Sequence, residues 1–246
     1  MSDIFAADLR PTKPAAVAAF LSTRFGATVA ADDVRMLTSF RFDDPAGEVG
    51  CETHIVGVSL PGRGDVVVQV PLTYRGAPLG GASEAALVTT MDHSVLGERW
   101  VYDAAHDPIY VTELLLSITD AGSAAQQFAV ADDGSRALIT EGLANVRGTG
   151  PASDPVDLPD PREVSGGADD DAQADGSVLP AVEREGDRSV TRLRGTAIEL
   201  VDVLDMDSGL PGGEAADLGS AVVDAGQLVA TWDGQDSPVV LARIVR

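Results

Sequence analysis

The sequence contains few of the side chains on which common enzyme mechanisms depend. It has one cysteine, Cys51, and Lys13 is its only lysine. A single cysteine excludes an intrachain disulfide and a thiolate metal cluster, and its strand-like surroundings favour a buried, unreactive thiol. Phosphoryl transfer from ATP uses a cation, usually lysine, and a glycine-rich cradle for the phosphates. Because Lys13 stands beside a proline at a predicted helix start, and neither G-x-x-x-x-G-K-[ST] nor G-x-G-x-x-G occurs, an ATP-using active site is not expected.

Basic charge and long apolar runs are also scarce. The chain carries 39 acidic and 17 basic residues, a formal net charge of −22. Such a chain is repelled by phosphate backbones and anionic lipid, so neither nucleic acid nor a membrane is expected as a partner. No signal peptide is visible, and the apolar runs fall far short of the roughly 20 residues that cross a bilayer. We therefore expect a soluble cytoplasmic protein, and we predict no cofactor.

The hydrophobic pattern predicts an α+β fold built on an antiparallel sheet. Helical spacing of apolar residues indicates a first helix over residues 14–25, ended by Gly26. Strand patterns over residues 36–42, 48–60 and 66–74 are joined by short turns, which is typical of a meander. The pattern of residues 84–91 fits a helix or a strand, and the β-branched residues at 88–90 favour a strand. Residues 108–118 are interpreted as the second main helix. Strands between two capped helices are typical of the α+β class.

Composition divides the remainder of the chain. Residues 1–150 are predicted to form the first domain. Residues 151–187 are rich in acids and prolines and carry little apolar surface, so they are interpreted as a flexible acidic loop. Residues 188–246 have strand-like patterns, with 190–204 as one strand and further strands at 221–223, 227–232 and 239–245. This C-terminal β-meander is expected to pack on the first sheet or extend it.

The stretch from residue 92 to 118 concentrates side chains that are scarce elsewhere. Aromatic residues make up 4% of the chain, yet this stretch holds two of three histidines, one of two tryptophans and two of three tyrosines. It is interpreted as a loop, a short strand over residues 99–103, a turn, and then the second helix. Asp107 is a suitable N-cap for that helix, and Pro108 fits its first position.

The side chains of this stretch form the candidate site. We predict a structural clasp between the strand and the helix, in which a histidine or arginine pairs with Asp103. Tyr74, Arg75 and His93 are predicted to belong to the same binding surface or clasp. The members predicted for the clasp are Arg99, Trp100, Tyr102, Asp103, His106 and Asp107. If Trp100 and Tyr102 point inward they belong to the core, and if they point outward they form a surface for a sugar or a partner.

Other candidate chemistries are weaker. The three histidines show neither H-x-x-x-H nor H-E-x-x-H spacing, so a metal site is not predicted. Asp43 and Asp44 fit a turn in which a carboxylate caps backbone N–H groups. The acidic loop lacks the calcium-loop order, and no G-x-S-x-G elbow surrounds a serine. No catalytic residue is therefore predicted.

Three segments make the chain similar to a known family. F-R-F-D-D-P-A-G-E-V-G (40–50), V-P-L-T-Y-R-G-A-P-L (70–79) and H-S-V-L-G-E-R-W-V-Y-D-A-A-H-D-P (93–108) resemble the N-terminal cap domain of actinobacterial maltokinases. The similarity covers roughly residues 1 to 118. It implies a curved, somewhat cystatin-like antiparallel sheet that carries no catalytic residues. Kinase lobes do not follow residue 118, so the chain is expected to be a stand-alone cap-like protein.

The resemblance places the protein in maltose, trehalose, glycogen and α-glucan metabolism without implying kinase activity. The first hypothesis is a non-catalytic interaction or regulatory module that docks on a sugar kinase or glucan-metabolising enzyme. The second is a protein that binds a small sugar on Trp100 or Trp232. The third is an enzyme whose residues come from distant parts of the chain. Sugar phosphotransfer is implied by family association alone.

Overall fold

The computed structural model describes residues 2–131, 133–150, 179–206 and 226–245. The two α-helices of these residues are α1 (Lys13–Phe25) and α2 (Pro108–Thr119). Their strands, in chain order, are β1 (Ser2–Phe5), β2 (Leu9–Arg10), β3 (Arg35–Phe42), β4 (Gly50–Leu60), β5 (Gly64–Arg75), β6 (Leu87–His93), β7 (Gly97–Asp103), β8 (Gln127–Val130), β9 (Arg136–Leu138), β10 (Asn145–Gly148), β11 (Ala181–Glu185), β12 (Arg188–Leu193), β13 (Thr196–Val201), β14 (Gln227–Trp232) and β15 (Gln235–Val245).

The strands form three sheets. The cap sheet is curved and antiparallel, with the order β2-β6-β7-β5-β4-β3. The C-terminal sheet is also antiparallel and has the order β10-β14-β15-β13-β12-β11. A small sheet has the order β1-β8-β9, in which β1 and β8 run parallel. The predicted α+β class, with a curved antiparallel sheet, two main helices and a C-terminal meander, is confirmed.

Helix α1 covers one face of the cap sheet. The side chain of Thr12 accepts a hydrogen bond from the N–H of Ala15, and Pro14 occupies the first turn. Gly26 ends the helix with a φ of 61°, a conformation that glycine adopts without a steric penalty. The apolar side of the helix meets the sheet in a core cluster that includes Val17, Phe20, Leu21, Val56, Val68, Leu72 and Val101.

Helix α2 lies on the opposite face of the cap sheet and joins it to the C-terminal sheet. It packs against β3, β10, β12 and β14. A second core cluster contains Phe40 of the cap sheet, Tyr110 and Leu115 of the helix, and Leu228 and Leu241 of the C-terminal sheet. The C-terminal strands therefore form a sheet of their own that shares a core with the cap sheet.

The region after residue 150 differs in detail from the sequence prediction. The strand expected over residues 190–204 is two strands, because Arg194 and Gly195 have φ values of 48° and 86° and turn the chain. Strand β11 lies inside the segment 151–187 that was assigned to a flexible loop, and it pairs with β12 along its whole length. The rest of that segment up to residue 178, and the strand expected at 221–223, lie outside the described residues.

Candidate functional site

Asp107 joins the end of β5 to the start of α2. Its carboxylate is fully buried and accepts a hydrogen bond from the N–H of Ile109 at 3.0 Å, as expected for an N-cap. Arg75 donates to both carboxylate oxygens, at 2.6 and 2.7 Å, and the hydroxyl of Thr73 donates at 2.8 Å. This bidentate pair shields the buried charge and fixes the helix start relative to the sheet.

Asp103 makes a second link between separate elements. Its side chain is buried and accepts a hydrogen bond from the N–H of Ala105, in the turn before α2. The guanidinium of Arg184, from β11, pairs with the same carboxylate. His106 is half-buried, and burial lowers the pKa of its imidazole. The cation that pairs with Asp103 is thus an arginine of the C-terminal sheet.

The aromatic candidates do not form one exposed platform. Tyr74 is paired with Val101 across neighbouring strands, on the α1 side of the cap sheet, whereas strand alternation puts Trp100 and Tyr102 on the opposite side. Tyr102 is buried and its hydroxyl accepts a hydrogen bond from the N–H of Leu79, while Trp100 is half-buried. Trp232 is also buried, within the core around α2.

The turn between β6 and β7 is held by hydrogen bonds from two side chains. Nδ1 of His93 accepts hydrogen bonds from the N–H groups of Val95 and Leu96, at 3.2 and 3.1 Å. Arg99 donates to the carbonyl oxygen of Leu96 at 2.7 Å. Desolvation and the nearby charge of Arg99 lower the pKa of His93, which keeps its ring neutral and able to accept. We call residues 94–96 the hairpin tip.

The hairpin tip exposes two adjacent apolar side chains. Val95 is 55% exposed and Leu96 is 45% exposed. The oxygen of the Ser94 hydroxyl accepts a hydrogen bond from the N–H of Asp8, which ties the tip to the residue before β2. The tip therefore presents a small apolar surface in a fixed conformation.

A buried charge cluster lies on the α1 side of the cap sheet. The ammonium group of Lys13 donates hydrogen bonds to both carboxylate oxygens of Glu52, at 2.9 and 2.8 Å. The guanidinium of Arg41 donates to one of these oxygens at 3.0 Å. Burial alone raises the pKa of Glu52, but the charges of Arg41 and Lys13 outweigh burial and hold it well below its usual range. His54 lies 3.8 Å from Glu52 and 3.3 Å from the hydroxyl of Tyr74. Because burial lowers the pKa of His54 to about 4, its contact with Glu52 is that of a neutral ring.

A cleft of about 450 Å³ opens at the N-terminal end of α1, between the cap sheet, β1 and the turn after β3. Lys13, Arg41, Arg99 and His93 line it, whereas Glu52 and His54 lie beneath its surface. The carboxyl and imidazole with shifted pKa values are therefore parts of a structural network rather than exposed reactive groups.

Two sequence interpretations hold at single residues. Asp44 accepts hydrogen bonds from the N–H groups of Ala46, Glu48 and Val49, so it caps the turn after β3 as predicted. Cys51 is a buried free thiol whose pKa is raised by burial. Across the described residues, no group of three His, Cys, Asp or Glu side chains is arranged to hold a metal.

The sequence interpretation missed the buried charge cluster. The available signal was Glu52, a charged residue within an otherwise largely apolar strand. A buried carboxylate needs a cation, so its position indicated a buried ion pair. Its partners could not be read from spacing, since Lys13 is 39 residues away and Arg41 is in the preceding strand.

The protein is a module in which one antiparallel sheet is covered by α1 on one face and by α2 on the other. Residues 23–107 match the family model of the maltokinase N-terminal cap domain. The resemblance predicted from the sequence is confirmed over these residues, which make up about a third of the chain. No curated protein matches the chain. None of the helices in the described residues is long and apolar enough to cross a membrane.

Proposed function

We propose that this protein is a non-catalytic interaction module of maltose, trehalose and α-glucan metabolism, and that it docks on the catalytic lobes of a sugar kinase. The maltokinase cap family supports this assignment, because its name couples the domain to a kinase that acts on maltose. The same match covers strands β3 to β7 and ends at the N-cap of α2. The docking surface must therefore be sought on this segment.

The observation that carries the proposal is the hairpin tip. Val95 and Leu96 are adjacent, exposed and apolar, and both N–H groups are held by the ring of His93. A surface that is already ordered loses little conformational entropy when a partner covers it. Covering these two side chains would remove apolar surface from water, which favours association.

The polar side chains of the candidate site support a non-catalytic role. Asp107 is occupied by Arg75 and the start of α2, and Asp103 by Arg184 and the turn before α2. Glu52 is neutralised by Lys13 and its neighbours beneath the cleft. These carboxylates are bound as structural partners, so they are not available as a general base or as magnesium ligands.

Sugar binding by the tryptophans is less well supported. Trp232 packs in the core and is only 8% exposed, so little of its ring is available for stacking on a sugar. Trp100 lies on the face of the cap sheet opposite Tyr74, so the two rings cannot line one concave platform. Stacking platforms for sugars need an exposed ring face with convergent polar groups.

The proposal is tested by sedimentation velocity with the catalytic lobes of a maltokinase from which the cap has been removed. We expect a complex with the wild-type chain. A double variant, Val95→Ser with Leu96→Ser, should weaken the complex at least about tenfold, since each lost apolar contact contributes of the order of 1 kcal/mol.

The matched control is Leu138→Ser. Leu138 is 49% exposed, but it lies on β9, outside the matched segment. This variant should bind like the wild type. A wild-type chain that forms no complex, or equal weakening by the tip and control variants, contradicts the proposal.

Catalysis is tested separately with ATP and maltose. We expect no formation of phosphorylated maltose by the purified chain, because its one lysine is engaged with Glu52 at the start of α1. Turnover above that of the Lys13→Gln variant would contradict a non-catalytic role.

A further inference from the structure

We propose that the cleft at the N-terminal end of α1 binds a small organic acid with a hydroxylated body, a sugar phosphate or a sugar acid. The oxyanion would be held by Lys13, Arg41 and Arg99, and the hydroxyl groups would face the rim of the cleft. This inference concerns a separate ligand, although the cleft lining includes Leu96 of the hairpin tip and the His93 and Arg99 side chains that hold the tip. The two proposals are distinguished by their probes, which are small anions here and the kinase lobes there.

Side-chain alternation brings the cations of the cleft to one face of the cap sheet. Arg41 of β3 is paired with Glu52 of β4, and Arg99 of β7 is paired with Met91 of β6. Lys13 reaches the same place from the first turn of α1. Lys13 and Arg41 contact a common oxygen of Glu52, which shows how close together the two charges lie. Three cations from separate elements thus converge in a chain whose net charge is −22.

The charges immediately around Glu52 favour an anion there. Glu52 compensates one of its two contacting cations, and Arg99 adds a further positive charge. The first turn of α1 carries no acidic residue, so the partial positive charge of the helix N-terminus adds to the same region. The pKa of His93 is lowered by desolvation and then by Arg99, Lys13 and Arg41, in agreement with a positive potential around the ring.

Two guanidinium nitrogens in this region have hydrogen-bonding capacity left over. Within the described residues, Nε of Arg41 and Nε of Arg99 are buried and have no hydrogen-bond partner. A buried donor without an acceptor is unfavourable, and binding sites are places where such groups occur. Both side chains line the cleft, so an oxyanion there can accept from their guanidinium groups.

The remaining lining selects the body of the ligand. Phe5, Leu9 and Met91 supply apolar walls, and the volume of about 450 Å³ lies within the range of small-molecule sites. The lining also contains four carboxylates. Asp3 pairs with Arg136, Asp44 caps the turn after β3, Asp43 accepts from the hydroxyl of Ser2, and Glu48 is exposed. Carboxylates repel a second anion but accept hydrogen bonds from hydroxyl groups. A ligand with one anionic end and a hydroxylated body satisfies both ends of the cleft.

The test is isothermal titration of the full chain with four probes. Glucose 6-phosphate and gluconate represent the two sources of the oxyanion, inorganic phosphate is the head group alone, and glucose is the uncharged body. We expect at least one of the two sugar anions to bind more tightly than glucose and than inorganic phosphate. Whether glucose 6-phosphate or gluconate binds more tightly identifies the head group.

Variants locate the binding. Arg99→Gln should raise the Kd of the preferred probe about tenfold, the factor that corresponds to about 1.4 kcal/mol. Lys13→Gln should do the same, and circular dichroism should verify that both variants fold. The matched control is Arg192→Gln. It removes one arginine charge from β12, outside the cleft lining, and should leave the Kd unchanged. The proposal is overturned if neither sugar anion binds, if glucose binds as tightly, or if the control and cleft variants behave alike.

Discussion

Replacement of Asp107 by alanine tests whether the clasp between β5 and α2 is structural. The variant loses the N-cap hydrogen bond to Ile109, which costs about 1 kcal/mol. It also leaves Arg75, whose side chain is only 19% exposed, without its bidentate partner. Removal of one member of a buried ion pair costs about 3–5 kcal/mol, and partial access of Arg75 to water favours the lower end. We therefore expect the free energy of unfolding to fall by about 3–4 kcal/mol.

Urea denaturation followed by circular dichroism measures this loss. Asp107→Asn keeps an oxygen for the helix cap, so it should be less destabilising than Asp107→Ala. In the double variant with Arg75→Gln the losses should be less than additive, because the unpaired guanidinium is no longer buried. Asp32→Ala, at an exposed position before β3, is the control and should change stability by less than about 0.5 kcal/mol. A loss for Asp107→Ala of about 1 kcal/mol or less would show that the cap alone matters and would refute the clasp.

Three further substitutions test burial and charge. Trp100→Ala should lower the free energy of unfolding by about 2 kcal/mol in thermal melts, less than a fully buried aromatic because the ring is half-buried, and a melt equal to wild type would be inconsistent with this placement. Because burial lowers the pKa of His54 to about 4, the wild type should lose up to about 3 kcal/mol as the pH falls from about 6.5 to about 4. In His54→Gln that part of the pH dependence should disappear from urea titrations, and an unchanged profile would exclude the mechanism. Burial and Asp44 raise the pKa of Glu113 to about 7, so the wild type should lose stability as the pH rises from about 4.5 to about 7. Glu113→Gln should therefore raise Tm relative to wild type at pH 8 but not at pH 4.5, and an equal difference at both values would contradict this reasoning.

Local features of the fold could be predicted because their causes lie within a few residues. Gly26 ends α1 by adopting a positive φ, and Asp107 followed by Pro108 begins α2. The carboxylate of Asp44 caps the turn that contains Pro45. Each of these signals depends only on the side chain and on its nearest neighbours along the chain.

Contacts between distant elements could not be predicted. Arg184 and Asp103 are separated by 81 residues, and Arg75 and Asp107 by 32. Which cation meets which carboxylate depends on strand order and register, and these are set by packing of the whole core rather than by local sequence. For the same reason, the sequence identified an aromatic cluster but could not show that Tyr74 and Tyr102 lie on opposite faces of the cap sheet.

The C-terminal sheet shows the same limit at the scale of a whole sheet. Its strands were predicted as a meander near the first sheet, but β10 and β11 join it from parts of the chain assigned elsewhere. Short strands with mixed patterns take their place from the partners available in three dimensions. The turn at Arg194 and Gly195 was hidden because strand-forming residues flank it on both sides.

Amide hydrogen exchange on a complex with maltokinase catalytic lobes tests the central claim most directly. If the protein docks as an interaction module through the hairpin tip, exchange at residues 94–97 and at the adjoining ends of β6 and β7 should slow on binding. Strands β11 and β12, in the C-terminal sheet, should exchange as in the free chain. Complex formation with unchanged exchange at the hairpin tip, or with protection confined to the C-terminal sheet, would contradict the account.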